Sequence, residues 1–530
     1  MSKIINLSSK KFIDHSTSSS DILKILLKNR NINDIDVFLK PPYPTLELKL
    51  KKAIGLISSA IQNNQNILIY GDYDVDGVTA TAVLWQTLYK LTKNVTPFVP
   101  NRERDGYGIK AESFFRFQAE KNITFDLLVT VDNGIVAQKE IKKILDKQKL
   151  KIIITDHHLA NEDSKLLTRN CQLIHSTQVS GSAISYFLSK ELDKDADLGL
   201  AALGTVADCL PLTGVNRSIV VHGLESLRIN PSPGIKKLIQ VSNLKNKISA
   251  YDLGFVLGPR INAIGRLADP TDALRLLCSQ NLLQAAKYAG VLNSYNQDRQ
   301  QLQKDSLDNA DKNIDLKNKL IFIHGDYNPG IIGLIAGRLT EKYYLPSIVI
   351  SVDGDIAKGS CRSIPELNII EALREHQDLF VDLGGHPGAA GFSIFTKNIS
   401  KLKKSIIKLL NFKLGKLKLS PHLDVDAQMS LDAVTIKNIK AIDSLSPFGI
   451  GNPEPLFLFK QVIIDSLRTI GQTNDHLKLR TGSFDAIAFK KGDLIDKLKV
   501  GDVVDLVASL SINEWNNALS PQLIIKEIVV

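Results

Sequence analysis

Between residues 47 and 158, short apolar runs alternate with longer amphipathic stretches. The runs in "NILIYGD" (66–72), "VTPFVPNR" (95–102), "FDLLVTVDNG" (125–134) and "LKIIITDHH" (150–158) have the length and β-branched content of buried strands. The segments "LKKAIGLISSAIQN" (50–63), "GVTATAVLWQTLYKL" (77–91) and "QKEIKKILDKQ" (138–148) repeat apolar residues at helical spacing. Strands separated by helices of this length predict an α/β fold with a parallel sheet covered on both faces. Residues 196–310 hold no convincing run of strands and read as helices ending in a long connector. A second α/β unit follows, with a strand in "KLIFIHGD" (319–326), a helix in "GIIGLIAGRLTEKY" (330–343) and a hairpin-like pair in "PSIVISVDG" and "IAKGSCRS". From about 420 the alternation in "VGDVVDLVASLSINEWNN" and "PQLIIKEIVV" predicts a small all-β barrel. Residues 1–46, with the short helix "DILKILLKNR" and the Pro-rich "KPPYPTL", read as a lead-in. The expected division is 1–46 lead-in, 47–220 first α/β domain, 221–312 helical region and connector, 313–415 second α/β domain and 416–530 barrel.

Composition narrows the class. A chain of 530 residues, 44% hydrophobic and 23% charged, is folded and too long for one core. No apolar run reaches membrane-spanning length and the N-terminus lacks a signal-peptide pattern, so no membrane association and a cytoplasmic location are expected. Cys171, Cys209, Cys278 and Cys361 are scattered without a C-x-x-C pair, so neither a disulfide framework nor a thiolate zinc site is suggested. The formal charge of +10 suits a polyanionic partner, although a lysine-rich composition produces the same excess without one.

The chemistry sits at strand ends. Asp72, Asp74 and Asp76 fall within five positions straight after one strand, Asp132 ends a second, and Asp156, His157 and His158 end a third. In an open parallel sheet those ends line one crevice. Asp74 and Asp76 share a face if the chain stays extended. Crowded carboxylates hold protons unless a cation neutralises them. Oxygen ligands with an imidazole or two suit Mn²⁺ or Mg²⁺, and two such ions about 3.5–4 Å apart support hydrolysis of phosphate esters or anhydrides. A single Asp at such a position serves equally as a helix N-cap, and Asp72 and Asp156 fit that role or the orienting of a histidine. Asp208, in the apolar "GTVADCLPL", is a further ligand candidate or a helix-terminal acceptor.

The ordered series "GDYDVDG", "NRERDGYG", "VTVDNG", "DHH", "GTVADCLPL", "GPRINAIGR", "GSCRS", "GGHPGAAG" and "SPFGIGNPEPLF" resembles the DHH phosphoesterase superfamily and, within it, the bacterial exonucleases specific for single strands. The resemblance spans about residues 47–400 and continues to 457. It implies a DHH domain, a DHH-associated domain and an OB-fold barrel, and a 5′→3′ exonuclease that releases mononucleotides from single-stranded DNA with two divalent cations, Mn²⁺ or Mg²⁺, in repair and recombination. By position it implies Asp74, Asp76, Asp132, His157 and Asp208 as metal ligands, with Asp132 bridging. His158 would support the centre and contact phosphate. Arg260, Asn262 and Arg266 look like the family's phosphate and strand contacts, although the residues alone read as a surface ion-pairing loop. His386 matches a histidine that faces the scissile phosphate across the cleft. Ser360 and Arg362, with Arg102 or its neighbour Arg104, resemble the pocket for the terminal 5′-phosphate. Phe457, Phe459 and Trp515 are candidates for stacking bases, a role that competes with barrel core. The resemblance further implies a monomer that works with a helicase and a single-strand-binding protein. Two alternatives remain open: a manganese-dependent pyrophosphatase or a phosphodiesterase for short or cyclic oligonucleotides, and a catalytically silent DHH relative serving as a replication scaffold.

Overall fold

A computed structural model describes residues 3–106, 108–160, 171–244, 247–312, 314–516 and 518–529. The chain forms two compact units, Leu7–Asn296 with Val425–Val530, and Met1–Asn6 with Gln297–Asp424. No helix among the described residues is long and apolar enough to cross a membrane.

In the first unit a five-stranded parallel sheet runs in the order Val95–Phe98, Ile67–Tyr70, Leu127–Val131, Lys151–Asp156, Cys171–His175. Alternate side chains supply opposite layers, as strand geometry requires. Ile67, Ile69, Val129 and Ile153 enter one apolar cluster with the helices Val75–Leu91, Gly181–Lys190 and Leu198–Ala207, whereas Leu68, Tyr70, Leu128, Ile152 and Ile154 enter another with Phe114 and Ile144. The helical region continues through Gly214–Ile229 and Pro233–Val241 to Gly258–Leu267. "GPRINAIGR", which alone reads as a loop, is therefore helical, entered through a π-helical turn at Leu253–Leu257. Leu282–Asp311 is the 30-residue connector.

The same unit contains an eight-stranded mixed sheet, in the order Ser466–Ile470, His476–Thr481, Phe484–Ala488, Ala518–Val529, Val503–Trp515, Phe457–Ile463, Ala427–Met429, Phe12–Ile13. The last strand comes from the N-terminus, which corrects the reading of residues 1–46 as a lead-in. Ile22, Leu26, Leu27 and Phe38 share one core with Ile439, Phe457, Leu506 and Leu523. The physical reason is amphipathicity: the Ser18-capped helix Ser19–Asn29 has an apolar face that must be covered, and its partner lies some 400 positions away. The barrel is accordingly not all-β, since this helix and Ile436–Asp443 close its core. Phe457 and Phe459 are fully buried there and stack on no strand.

Two clasps tie barrel to parallel sheet. Arg217, buried and with no carboxylate partner among the described residues, donates to the carbonyls of Phe38, Ser446 and Pro447 at 2.6, 2.8 and 3.5 Å and lies over the Phe38 ring. The loop in "SPFGIGNPEPLF" meets the segment after Asp208: Leu212 N–H donates to Ile450 O at 2.7 Å, and a Cβ on Gly451, whose φ is 75°, would fall 3.0 Å from Pro211.

The second unit is a five-stranded mixed sheet ordered Phe380–His386, Ala389–Phe395, Ile356–Arg362, Ser347–Ser351, Ile321–Gly325. Ile332–Tyr343 covers one face, and Ile369–Arg374 with Ile399–Leu414 covers the other.

Candidate metal centre

After Tyr70 the chain does not stay extended through the acidic run, so the expected alternation of Asp74 and Asp76 is replaced by a helix start. Asp74 is the N-cap of Val75–Leu91, its Oδ1 accepting from Gly77 N–H at 2.9 Å, and Asp76 lies in the first turn. Local preference explains this: a short acidic side chain before an apolar helical run satisfies an otherwise orphaned N–H and complements the helix dipole. Gly77 is required because a Cβ there would fall 2.6 Å from that of Asp72. Asp76 is held by a second helix start, accepting from Gly181 N–H at 2.6 Å and Ser182 N–H at 2.9 Å. Asp132 adopts φ 61° at the end of its strand. Asn133 beside it donates to Tyr70 O, Gly71 O and Val131 O at 3.0–3.3 Å, joining two strand ends.

His157 is the hub. Its Nε2 lies 3.2 Å from Asp132 Oδ1, 3.5 Å from Asp208 Oδ2 and 3.8 Å from Asp76 Oδ2. Asp208 reaches it from the end of the helix Leu198–Ala207. Despite the proximity, Asp132 Oδ1 is buried and has no hydrogen-bonded donor, and a buried oxygen in that condition is unfavourable. Donor atoms of Asp76, His157 and Asp208, and of Asp132, His157 and His158, gather within 4.8 Å in each set. Asp74 is half-buried close to Asp76 in the chain, with one oxygen committed to its cap. Asp156 is no helix cap: it accepts from Ile135 N–H at 2.8 Å and bonds His158 through backbone N–H at 3.0 Å and Nδ1 at 2.8 Å.

The electrostatics are those of carboxylates crowded together away from water. Burial, then Asp76, Asp74 and Asp72, holds the Asp132 carboxyl well above the usual range. Burial and neighbouring carboxylates push Asp208 and Asp72 up to about 8 and raise Asp74. Burial lowers His157, favouring the neutral imidazole that a metal needs. The hydrogen bond that His158 donates to Asp156 lifts the imidazole to about 9 against the cost of burial, while Asp156, also opposed by burial, is drawn below its ordinary value by the same bond. Oxygen-rich donors, a neutral imidazole and an unpartnered carboxylate oxygen fit hard divalent cations.

The remaining candidates divide. Arg266 is close enough for its charge to favour ionised Asp74. Asn262 accepts from Val75 N–H at 3.0 Å, and Arg260 donates to Asn293 and Val256 O, so both are engaged inside the helical layer. Arg102 is exposed, 5.9 Å from the Tyr73 ring centre, whereas Arg104 is paired with Asp105 at 3.4 Å. Trp515 is 74% exposed on the Val503–Trp515 strand. In the second unit, Arg362 Nη1 lies 3.4 Å from Ser360 Oγ, and a Cβ on Gly333 beside them would come within 3.0 Å of that oxygen. His386 ends the strand Phe380–His386 and is exposed. Sequence reasoning missed Gly181, Ser182, Asn133 and His175, whose Nε2 bonds His158 O at 2.8 Å. "SGSAIS" does carry a helix-start signature, Ser before an apolar run. Nothing in the sequence marks His175.

A parallel sheet whose carboxyl edge gathers aspartates around a histidine pair defines a DHH-type phosphoesterase core. The DHH family, N-terminal domain, matches residues 66–210, the DHHA1 domain residues 317–411 and the RecJ OB domain residues 425–527. The single-stranded-DNA-specific exonuclease RecJ of Bacillus subtilis is 34% identical over 92% of this chain, which spans 64% of that relative's length. RecJ of Salmonella typhimurium is 30% identical, with 94% of this chain and 93% of the relative covered. The crystal structure of Thermus thermophilus RecJ in complex with Mn²⁺ superposes with a TM-score of 0.83 at 27% identity, covering 96% of this chain and 75% of that one. The chain belongs to the RecJ family of single-stranded-DNA-specific exonucleases.

Proposed function

We propose that this chain degrades single-stranded DNA from its 5′ end, hydrolysing phosphodiester bonds to release mononucleotides in repair and recombination. The observation that carries the reading is the meeting of Asp76, Asp132, His157 and Asp208 around an unpartnered buried oxygen, within a family of exonucleases. Asp74, Asp76, Asp132, His157 and Asp208 would hold two divalent cations, Mn²⁺ or Mg²⁺ as in the Thermus relative's crystal structures, with Asp132 bridging. When bound, such ions polarise phosphate and lower the pKa of water.

The protein's own groups do the rest. The helix starts at Val75 and Gly181 fix Asp74 and Asp76 through backbone N–H groups, so these carboxylates need no rearrangement to receive a cation. Asp156 keeps His158 protonated at neutral pH, and the resulting imidazolium suits a phosphate oxygen or a leaving group that takes up a proton. Arg266 supplies a fixed positive charge beside the acidic cluster. Arg260 and Asn262 serve by holding that helix in place, Asn262 through Val75 N–H. His386, in the second unit, is read as a group for the scissile phosphate. Ser360 and Arg362 are read as an anion pair for a terminal phosphate; of the two exposed arginines in the loop of the first unit, Arg104 is paired with Asp105, which leaves Arg102 as the candidate for an anion there. Trp515 offers an exposed ring for a base.

The enzyme would act as a monomer in the cytoplasm, since one chain carries the full ligand set. Duplex DNA yields its substrate only after a helicase opens it, and single-strand-binding protein would coat the opened strand. The match of residues 425–527 to the RecJ OB domain favours a polymer over pyrophosphate or a cyclic dinucleotide, and the complete carboxylate set argues against a silent scaffold. The test is a long single strand labelled at either end, with and without 5′-phosphate, incubated with Mn²⁺, Mg²⁺ or chelator. Early loss of 5′ label as mononucleotide, dependent on cation, is expected. Loss of 3′ label first, or equal activity in chelator, would refute the reading.

A further inference from the structure

The helix Ile399–Leu414 has two unlike faces. Ile399, Leu402, Ile406, Leu410 and Leu414 are buried in the core of the second unit. On the solvent side Lys401, Lys404, Lys408 and Phe412 follow at spacings of three, four and four, which places them in one row. At about 1.5 Å per residue the row is roughly 16 Å long. All four are exposed, Phe412 by 84%. From Thr396 to Leu419 the chain has eight lysines and neither Asp nor Glu. Among the described residues, the row's ion pair is that of Lys401 with Asp378 at 3.7 Å, both about 70% exposed, and such a pair is weak enough to exchange for another anion.

A row of cations ended by a bare aromatic ring is the chemistry that takes a strand of nucleic acid, phosphates on ammonium groups and a base on the ring. The row's length matches about four to five stacked nucleotides at roughly 3.4 Å each. A lipid surface fits poorly, because a membrane-lying helix inserts its apolar face and here that face is already buried. We infer that the exposed face of Ile399–Leu414 binds a further stretch of single-stranded nucleic acid, with phosphates on Lys401, Lys404 and Lys408 and a base stacked on Phe412. This rests on the reading that the substrate is a single strand.

The experiment compares the full chain with K401Q/K404Q/K408Q and with F412A. Binding of a long and a short fluorescent oligothymidine is measured against salt in chelator, so that strands stay intact, and melting checks the fold. For the long strand the triple variant should lose at least about tenfold in affinity, and its log K against log[salt] slope should flatten by about 2. F412A should lose about tenfold with its slope unchanged. The short strand should bind as before. Parental affinity and slope in both variants would overturn the inference, as would lysine-dependent binding to phosphatidylserine vesicles in place of the strand. Cleavage by the unmodified enzyme in Mn²⁺ is assayed alongside. Failure there would defeat the proposed activity, while the chelator titrations would still decide the helix face.

Discussion

Replacing Gly181 by alanine measures how closely the centre is built. A methyl group there falls 2.5 Å from Cβ and Oδ1 of Asp132 and 2.7 Å from its Cγ. Carbon atoms settle at about 3.5 Å or more, so the Asp132 side chain must withdraw by about 1 Å. Backbone adjustment offers little relief. Asp132 already occupies the left-handed region at φ 61°, and the next residue, Asn133, is tied to three carbonyls. Misplacement of a reacting group by about 1 Å costs on the order of 100-fold in turnover, and overpacking of this kind costs about 1–3 kcal/mol of stability. The assay is release of mononucleotide from a 5′-phosphorylated single strand over a Mn²⁺ titration, with strand affinity measured in chelator. Turnover should fall about 100-fold with strand affinity unchanged. Gly290→Ala, in the connector helix where a Cβ meets nothing within 4 Å, is the matched control and should match the parent while gaining up to about 1 kcal/mol. A Gly181→Ala enzyme within threefold of the parent, with the same Mn²⁺ dependence, would show that the close fit around Asp132 does not govern catalysis.

Asp132→Ala should abolish hydrolysis and leave strand binding intact; residual activity near the parent's would remove Asp132 from the ligand set. In metal-free protein Asp208 and Asp72 stay protonated to about pH 8, whereas the unfolded chain ionises them near pH 4, so folded stability drains away as pH rises between those values. Calorimetry in chelator should therefore show lower melting at pH 8 than at pH 5.5, a larger rise with Mn²⁺ at the higher pH, and a weaker pH dependence in Asp208→Asn; a parental pH dependence in that variant would refute the assignment. Arg217→Met leaves the carbonyls of Phe38 and Ser446 without a donor and should cost roughly 2–6 kcal/mol, read as a lower denaturation midpoint, since each unsatisfied buried group costs about 1–3 kcal/mol. A midpoint equal to the parent's would show that water replaces the guanidinium.

What was legible in the sequence was whatever a local period or an ordered motif encodes. Strand runs such as "NILIY" and "LLVTV" carry their own signature, and a parallel sheet then brings Asp132 and His157 to one edge with no further information. The strand Cys171–His175 escaped, because "CQLIH" is short and without alternation. The helix start at Asp74 was obscured by assuming that the strand ran on, when the apolar helical period begins at Val75. Asp76 was readable as a ligand, but the backbone donors that hold it come from Gly181 and Ser182, over 100 residues away. The same distance problem hid the burial of Phe457 and Phe459, since a barrel's inside and outside are decided by register rather than composition.

The placement of the N-terminal helix bears on the order in which the molecule can mature. Ile22, Leu26 and Phe38 leave the ribosome about 400 residues ahead of the apolar partners with which they share a core, which begin at Ala427. At about 5–20 residues per second, some 20–80 s of synthesis separate the two halves of that core. The nascent chain thus carries an uncovered greasy helix over that interval, a natural foothold for a chaperone, and this core is complete only after Leu523 and Ile525 have emerged.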